Sequence, residues 1–259
     1  MNPDACVDIG GGCLLPLVGL GTWNVTGGDV APAVRAALEC GYRHIDTAYG
    51  YGNEAGIGHA LHQSGVPRDE VFLTSKIPPR RIGSEEQTLA GCLRNLRTDH
   101  VDLWLIHACP DTPEQSLGLW EFAIAAREQG RARAIGVSNY STAQVDHLIA
   151  ATGVTPAVNQ VRWSPALYDP ARMAQMRERG IALEGFSAIR LTDLDDPALA
   201  AIAAAHGVTA AQVLVRWQVQ HGIVVLPRSV RPERIRANFA VWDFELAAAE
   251  MARIDAMAG

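Results

Sequence analysis

VDLWLI, residues 101–106, is a short apolar run that ends against His107, and it sets the pattern for the whole chain. Runs of the same kind recur towards the N-terminus as LVGLG (17–21), RHID (43–46) and VFLTS (71–75). Towards the C-terminus come ARAIGV (132–137), PAVNQ (156–160), IALEGF (181–186) and IVVLP (223–227). Successive runs start roughly 25 to 40 residues apart, which suits a strand plus a crossover helix and is too long for hairpins. The runs are continuously apolar more than alternating, the pattern of parallel strands covered on both faces. The segments between them carry helix signals. Ser84 with Gln87 and Ser141 with Gln144 have capping-box spacing, and Leu89, Cys92, Leu93 and Leu96 fall on one helical face. Gly41, Gly130, Gly180 and Gly207 stand where helices should stop.

Eight such units without a break in composition predict a (β/α)8 TIM barrel spanning residues 1–259 as one domain. A doubly wound sheet is the alternative architecture. Ahead of the first run, CVDIGGGCLL has a Gly-rich turn between short apolar pieces and predicts an N-terminal β-hairpin closing the bottom of the barrel. Gly19-Leu20-Gly21 lacks the third glycine and the acidic partner of a dinucleotide fingerprint. With 48% hydrophobic and 19% charged residues, the chain has material for a large core. A net charge of −6 argues against nucleic acid or an anionic membrane as the main partner. No apolar run approaches the ~20 residues of a membrane-spanning helix. Five dispersed cysteines without a CxxC pair, and an N-terminus without a signal pattern, predict a cytoplasmic protein with reduced thiols. A monomer is expected.

Polar residues cluster at the ends of the runs. Asp46 ends the second, Lys76 follows the third and His107 the fourth. Ser138 and Asn139 follow the fifth, Gln160 ends the sixth, Ser187 follows the seventh and Arg228 the eighth. In a barrel these C-terminal strand ends converge on one mouth, where active sites form. Singly each has an ordinary structural reading: Asp46 as a helix cap, Lys76 as a solvated loop residue, His107 as a satisfied core group. Their joint placement points to a site. His59 and His62 share a helical face without a third ligand, so no metal is expected.

At GYRHIDTAYGYGNEAGIGHAL (41–61) the chain resembles the aldo-keto reductase family. The resemblance runs from about residue 14 to 256 and is marked towards bacterial 2,5-diketo-D-gluconate reductase-like members, over the start of this stretch and over RWQVQHGIVVLPRSVRPERI. It implies a catalytic tetrad of Asp46, Tyr51, Lys76 and His107, with Tyr51 and not Tyr49 at the matching spacing. It also implies NADPH as cofactor. The carboxamide would be held by Ser138, Asn139 and Gln160, and the nicotinamide stacked on Phe186, where the family usually has Tyr, with Ser187 beside it. The adenosine phosphate would be held by Arg228, Ser229, Arg234 and Asn238, and Gly21 and Thr22 are placed in the cofactor site with them. Trp23 is assigned to the substrate wall. Ala108-Cys109-Pro110 stands where the family usually has Trp after the His, and the chain ends without the family's extended C-terminal loop, so a reshaped and more open pocket is expected.

The chemistry follows from the residue types. Carbonyl reduction needs a hydride on carbon and a proton on oxygen. A tyrosine near its free pKa of ~10 is a reluctant acid, and an adjacent ammonium should lower that value. Tyr51 is therefore expected to be the general acid, tuned by Lys76 and Asp46, while His107 orients a small-molecule carbonyl substrate. Arg228, Arg231 and Arg234 open the last helix and suit a 2′-phosphate, hence NADPH over NADH. The alternatives from other classes are a Schiff-base lyase working through Lys76 and a low-turnover cofactor-binding sensor.

Overall fold

The computed structural model describes residues 5–258. A hairpin of β1 (Cys6–Asp8) and β2 (Leu14–Pro16) comes first. Then follow β3 (Leu20–Gly21), β4 (His44–Asp46), β5 (Phe72–Ile77), β6 (Val101–Ile106), β7 (Ala132–Ser138), β8 (Val158–Arg162), β9 (Ala182–Phe186) and β10 (Val224–Leu226). The last eight form one parallel sheet in chain order, β3 to β10. The ring closes where Gly19 N–H donates to Val225 O at 2.9 Å and Val225 N–H to Leu17 O at 2.8 Å. The eight runs are thus the eight strands of a TIM barrel with an N-terminal hairpin. Every residue of β5 and β6 is buried, as the continuous runs require: one face looks into the barrel, the other meets the helices. Trp104, Trp120 and Trp217 are fully buried, Trp104 in β6 and the other two in the outer helices.

The hairpin lies at the bottom, as expected. Cys6 and Leu14 line a hollow with Arg43, Val71 and Arg133, all at strand starts. Asp102, at the start of β6, accepts there from Arg68 at 2.8 Å and Arg133 at 3.0 Å.

Helix ends follow local chemistry with one exception. Ser141 and Gln144 form the expected box: Gln144 N–H donates to Ser141 Oγ at 3.3 Å and Ser141 N–H to Gln144 Oε1 at 2.8 Å. Gly41, Gly130, Gly180 and Gly207 all have positive φ at helix ends. The Ser84–Gln87 box does not form. Ser84 sits at ψ 28°, away from the extended geometry of a capping residue, and makes no side-chain cap. Its carbonyl instead accepts from Thr88 Oγ1 at 2.7 Å, and Glu85 turns back to Gly83 N–H at 2.8 Å.

Gly19 and Gly21 have steric roles in place of a dinucleotide turn. A Cβ on Gly19 would collide with the His44 ring, and one on Gly21 would lie 3.0 Å from Leu226 O. Their lack of side chains lets β3 close the barrel over a buried histidine.

Candidate active site

At the C-terminal end of the strands lies a cavity of about 570 Å3. Beneath its floor, fully buried Lys76 donates to Asp46 Oδ1 and Oδ2, both at 2.7 Å, and to Thr47 O at 2.8 Å. All three ammonium protons are therefore committed. Burial alone would pull the Lys76 pKa down, but Asp46, then Tyr51, outweigh it and the net direction is up. For Asp46, burial raises the pKa more than Lys76 and the Gln160 amide lower it, and the net direction is up. Lys76 belongs to β5 itself and does not follow it, so a strand holds the ammonium in place.

Tyr51 ends the short 3-10 turn Tyr49–Tyr51. Buried Asn53 ties that turn down. It accepts from Thr47 Oγ1 at 2.7 Å and donates to Thr22 O at 2.9 Å and Val25 O at 3.0 Å. The Lys76 ammonium lies 5.2 Å from the Tyr51 ring centroid. Tyr51 Oη and His107 Nε2 are 3.5 Å apart, with the rings edge-on at 72°. This is long for a hydrogen bond between them and leaves both free to meet a third atom. His107 is pushed down to about 3 by burial, then by Lys76 and Arg80, so its ring is neutral at pH 7. The sequence-based expectation for Tyr51 needs correcting. Burial raises its pKa more than Lys76 lowers it, and the net direction is up.

The other residues singled out divide into two groups. Gly21, Trp23, Ser138, Asn139, Gln160, Phe186, Ser187 and Arg228 line the cavity with Asp46, Tyr51 and His107. Thr22, Ser229, Arg234 and Asn238 lie outside its walls. Thr22 is buried, and its hydroxyl donates to Asp46 O at 2.8 Å, holding β3 to β4. Ser229 Oγ accepts from Arg231 N–H at 3.1 Å just before the helix Pro232–Phe239, which carries Arg234 and Asn238. Ala108, Cys109 and Pro110 are also absent from the walls, so the departure after His107 does not shape this cavity directly.

Asn139 and Ser187 have φ of 59° and 67°, left-handed values that side-chain-bearing residues rarely adopt. Both stand at the mouth, where such backbone is often retained for function. Gln160 Nε2 donates to Asp46 Oδ2 at 2.8 Å and to Glu184 Oε2. The Asp46 carboxylate, which can only accept, dictates that the NH2 end of the amide faces it, so Oε1 is the free acceptor. Asn139 Nδ2 donates to Ser138 Oγ at 3.0 Å, giving a donor pair beside that acceptor. A carboxamide, with one donor end and one acceptor end, fits this set, and half-buried Phe186 offers a flat face next to it.

Sequence reasoning missed a polar layer one step deeper. His44, Thr74 and Glu184 are fully buried. His44 Nε2 is 3.1 Å from Thr74 Oγ1 and 3.7 Å from Glu184 Oε1. Burial, then Asp46, pushes Glu184 up to about 8, while burial and Lys76 bring His44 down to about 3. Each residue stands two before a noticed one (Asp46, Lys76, Phe186), and period-two alternation along a strand could have found it.

Comparison with known proteins bears on the whole chain. The profile of the Aldo/keto reductase family matches residues 17–258. An aldo-keto reductase of Mycolicibacterium vanbaalenii is 42% identical over 246 residues, covering 94% of this chain and 88% of that one. Among solved structures, a putative 2,5-diketo-D-gluconic acid reductase B superposes with a TM-score of 0.90 at 37% identity, covering 96% of this chain and 89% of its own. A Bombyx mori aldo-keto reductase in complex with NADP superposes with a TM-score of 0.90 at 31% identity, covering 98% and 92%.

Proposed function

The chain belongs to the aldo-keto reductase family, oxidoreductases that act on carbonyl groups, and on that premise we propose that it reduces an aldehyde or ketone of a small molecule to an alcohol with NADPH. The observation that carries this reading is the pairing of Tyr51 Oη and neutral His107 Nε2, 3.5 Å apart, above a buried Lys76–Asp46 ion pair.

The bound nicotinamide supplies the hydride. The chain's own residues handle position and proton. A neutral His107 donates a hydrogen bond to the carbonyl oxygen without competing as an acid, and so orients the carbonyl. Tyr51, its pKa raised by burial, holds its proton in the resting state and delivers it to the same oxygen. As the phenolate develops, the fixed Lys76 ammonium opposes its charge in a site of low dielectric. Asp46 and Thr47 O keep that ammonium charged and still. Ser138, Asn139 and Gln160 Oε1 hold the carboxamide and Phe186 stacks against the ring. Arg228, Ser229, Arg234 and Asn238 hold the adenosine phosphate, and Arg228 with Arg231 and Arg234 at the following helix start favours the 2′-phosphate.

Lys76 is a poor Schiff-base nucleophile: it is charged, its three protons are committed, and it lies below the cavity floor. The test is NADPH absorbance with a panel of activated aldehydes and ketones, wild type against Tyr51→Phe, with NADH run in parallel. Expected are consumption by wild type, loss of most turnover with retained cofactor binding in the variant, and a lower KM for NADPH than NADH. Near-normal turnover by Tyr51→Phe would overturn the acid assignment, and equal KM values the cofactor preference. Cofactor binding without any turnover would favour the sensor reading.

A further inference from the structure

The cavity's charge is out of keeping with the rest of the protein. The chain carries −6 overall, yet among the residues lining the cavity one is acidic, Asp46, and four are arginines: Arg80, Arg162, Arg190 and Arg228. Asp46 is already neutralised by Lys76. None of the four arginines has an ion-pair partner among the described residues, whereas six other arginines do. Arg190 stacks over Trp23 at 5.4 Å and Arg228 donates to Asn24 O at 2.6 Å, on the side of β9, β10 and β3. That is the side on which the reading above puts the cofactor.

Arg80 stands across the mouth from them. It follows β5, which is four strands from β9 in the eight-stranded ring. Pro78 and Pro79 stiffen the turn that presents it. Gly50, next to Tyr51, leaves room for it: a Cβ there would lie 3.3 Å from an Arg80 guanidinium nitrogen. The neighbouring Arg81 is held elsewhere, donating to Thr88 Oγ1 at 2.9 Å and stacking on Tyr49 at 5.2 Å. Arg80 makes no hydrogen bond among the described residues, yet its charge is felt at His107. Arg162 is also unpaired, but it ends β8 in register with Phe186 and so stands on the cofactor side. On the β5 side of the mouth, Arg80 is the free guanidinium beside the Tyr51–His107 pair.

We propose that the substrate is a carbonyl compound carrying a carboxylate near its reacting carbon, and that Arg80 binds that carboxylate. The inference rests on the reductase reading. One guanidinium offers two parallel N–H donors, which match the two oxygens of a carboxylate. A phosphate dianion would call for a second cation beside Arg80; Arg81 is turned away to Thr88 and Tyr49, and Arg162 stands on β8 opposite Phe186. An arginine left unpaired in a cavity of an acidic protein is explained by an anion that arrives with the substrate.

The experiment compares oxo acids with their methyl esters: glyoxylate, 4-oxobutanoate and 4-carboxybenzaldehyde, each against its ester, in wild type, Arg80→Ala and Arg80→Lys. Glyceraldehyde 3-phosphate against glyceraldehyde is the phosphate arm. Because Arg80 is exposed and unpaired, Arg80→Ala should keep the melting temperature of wild type. A charge-assisted hydrogen-bonded pair is worth about ten- to hundredfold in binding. At least one acid should therefore exceed its ester by tenfold or more in kcat/KM, mostly through KM. Arg80→Ala should erase that ratio and leave the ester within twofold of wild type, and Arg80→Lys should keep part of it. Esters reduced as well as acids, or an acid preference unchanged in Arg80→Ala, overturn the inference alone. A larger Arg80-dependent preference for the phosphate overturns the carboxylate assignment. NADPH oxidation with no member of the panel overturns the reductase reading, and this inference with it.

Discussion

Replacing Lys76 by Met keeps the length of the side chain and removes its charge and three donors. Asp46 would then remain buried, with the Gln160 amide at 2.8 Å as its remaining side-chain donor. Breaking a buried ion pair by deleting one partner costs about 3–5 kcal/mol, because the other charge is left without compensation. In a protein of this size each kcal/mol moves the melting temperature by about 2–4 °C, so a fall of roughly 6–20 °C is expected at pH 8. The orphaned Asp46 has an escape, which is to take up a proton. Its folded pKa then lies well above its unfolded value of ~3.9. A carboxyl raised in this way contributes stability that is present below its unfolded pKa and is lost as pH rises through the folded one. The gap between wild type and Lys76→Met should therefore widen from pH 5 to pH 8. Urea unfolding at pH 5, 6.5 and 8, followed by tryptophan fluorescence, reads it directly. Lys76→Met combined with Asp46→Leu, which removes the buried charge altogether, should recover most of the loss. A deficit under 1 kcal/mol at every pH, or one that does not change with pH, would refute the picture of a charged pair beneath the cavity.

Two further outcomes follow from buried groups elsewhere. Glu184 is raised to about 8 by burial and then Asp46, so its contribution is intact below an unfolded pKa of ~4.3 and drains away as pH rises through about 8. Glu184→Gln stays neutral and can still accept from Gln160, so it should match wild type near pH 4.5 and exceed it by on the order of a few kcal/mol at pH 9; equal pH profiles in urea melts would count against the raised value. Gly58→Ala puts a methyl group into the backbone of Asn95 and Leu96, where the helices Glu54–Ser64 and Glu85–Leu96 pack, and should cost about 1–3 kcal/mol in a thermal melt.

Much of this molecule is legible one strand at a time. A continuously apolar run such as VDLWLI must be covered on both faces, and a run every few tens of residues with helix signals between leaves little but a parallel barrel. Because all strands of such a barrel point one way, residues at run ends share a mouth. Asp46, Lys76, His107, Ser138 and Gln160 could therefore be gathered without coordinates. Ser141 and Gln144 form their cap because both partners lie within one turn of chain. Ser84 fails at the same spacing: its N–H is drawn into the preceding turn, donating to Arg81 O at 2.9 Å, and its ψ of 28° is not that of a capping residue.

What only the tertiary structure decided depends on closure of the ring and on burial. Arg80 reads as one of two adjacent loop arginines until the barrel sets it across from β9 and beside Gly50, while Arg81 turns to Tyr49. Glu184, His44 and Thr74 become a layer under the site only when strands distant in sequence bring their inward faces together. The direction of the Tyr51 shift rests on a balance between desolvation and the nearby ammonium. Residue types name the two opposing effects, but how far the phenol is buried decides which one wins.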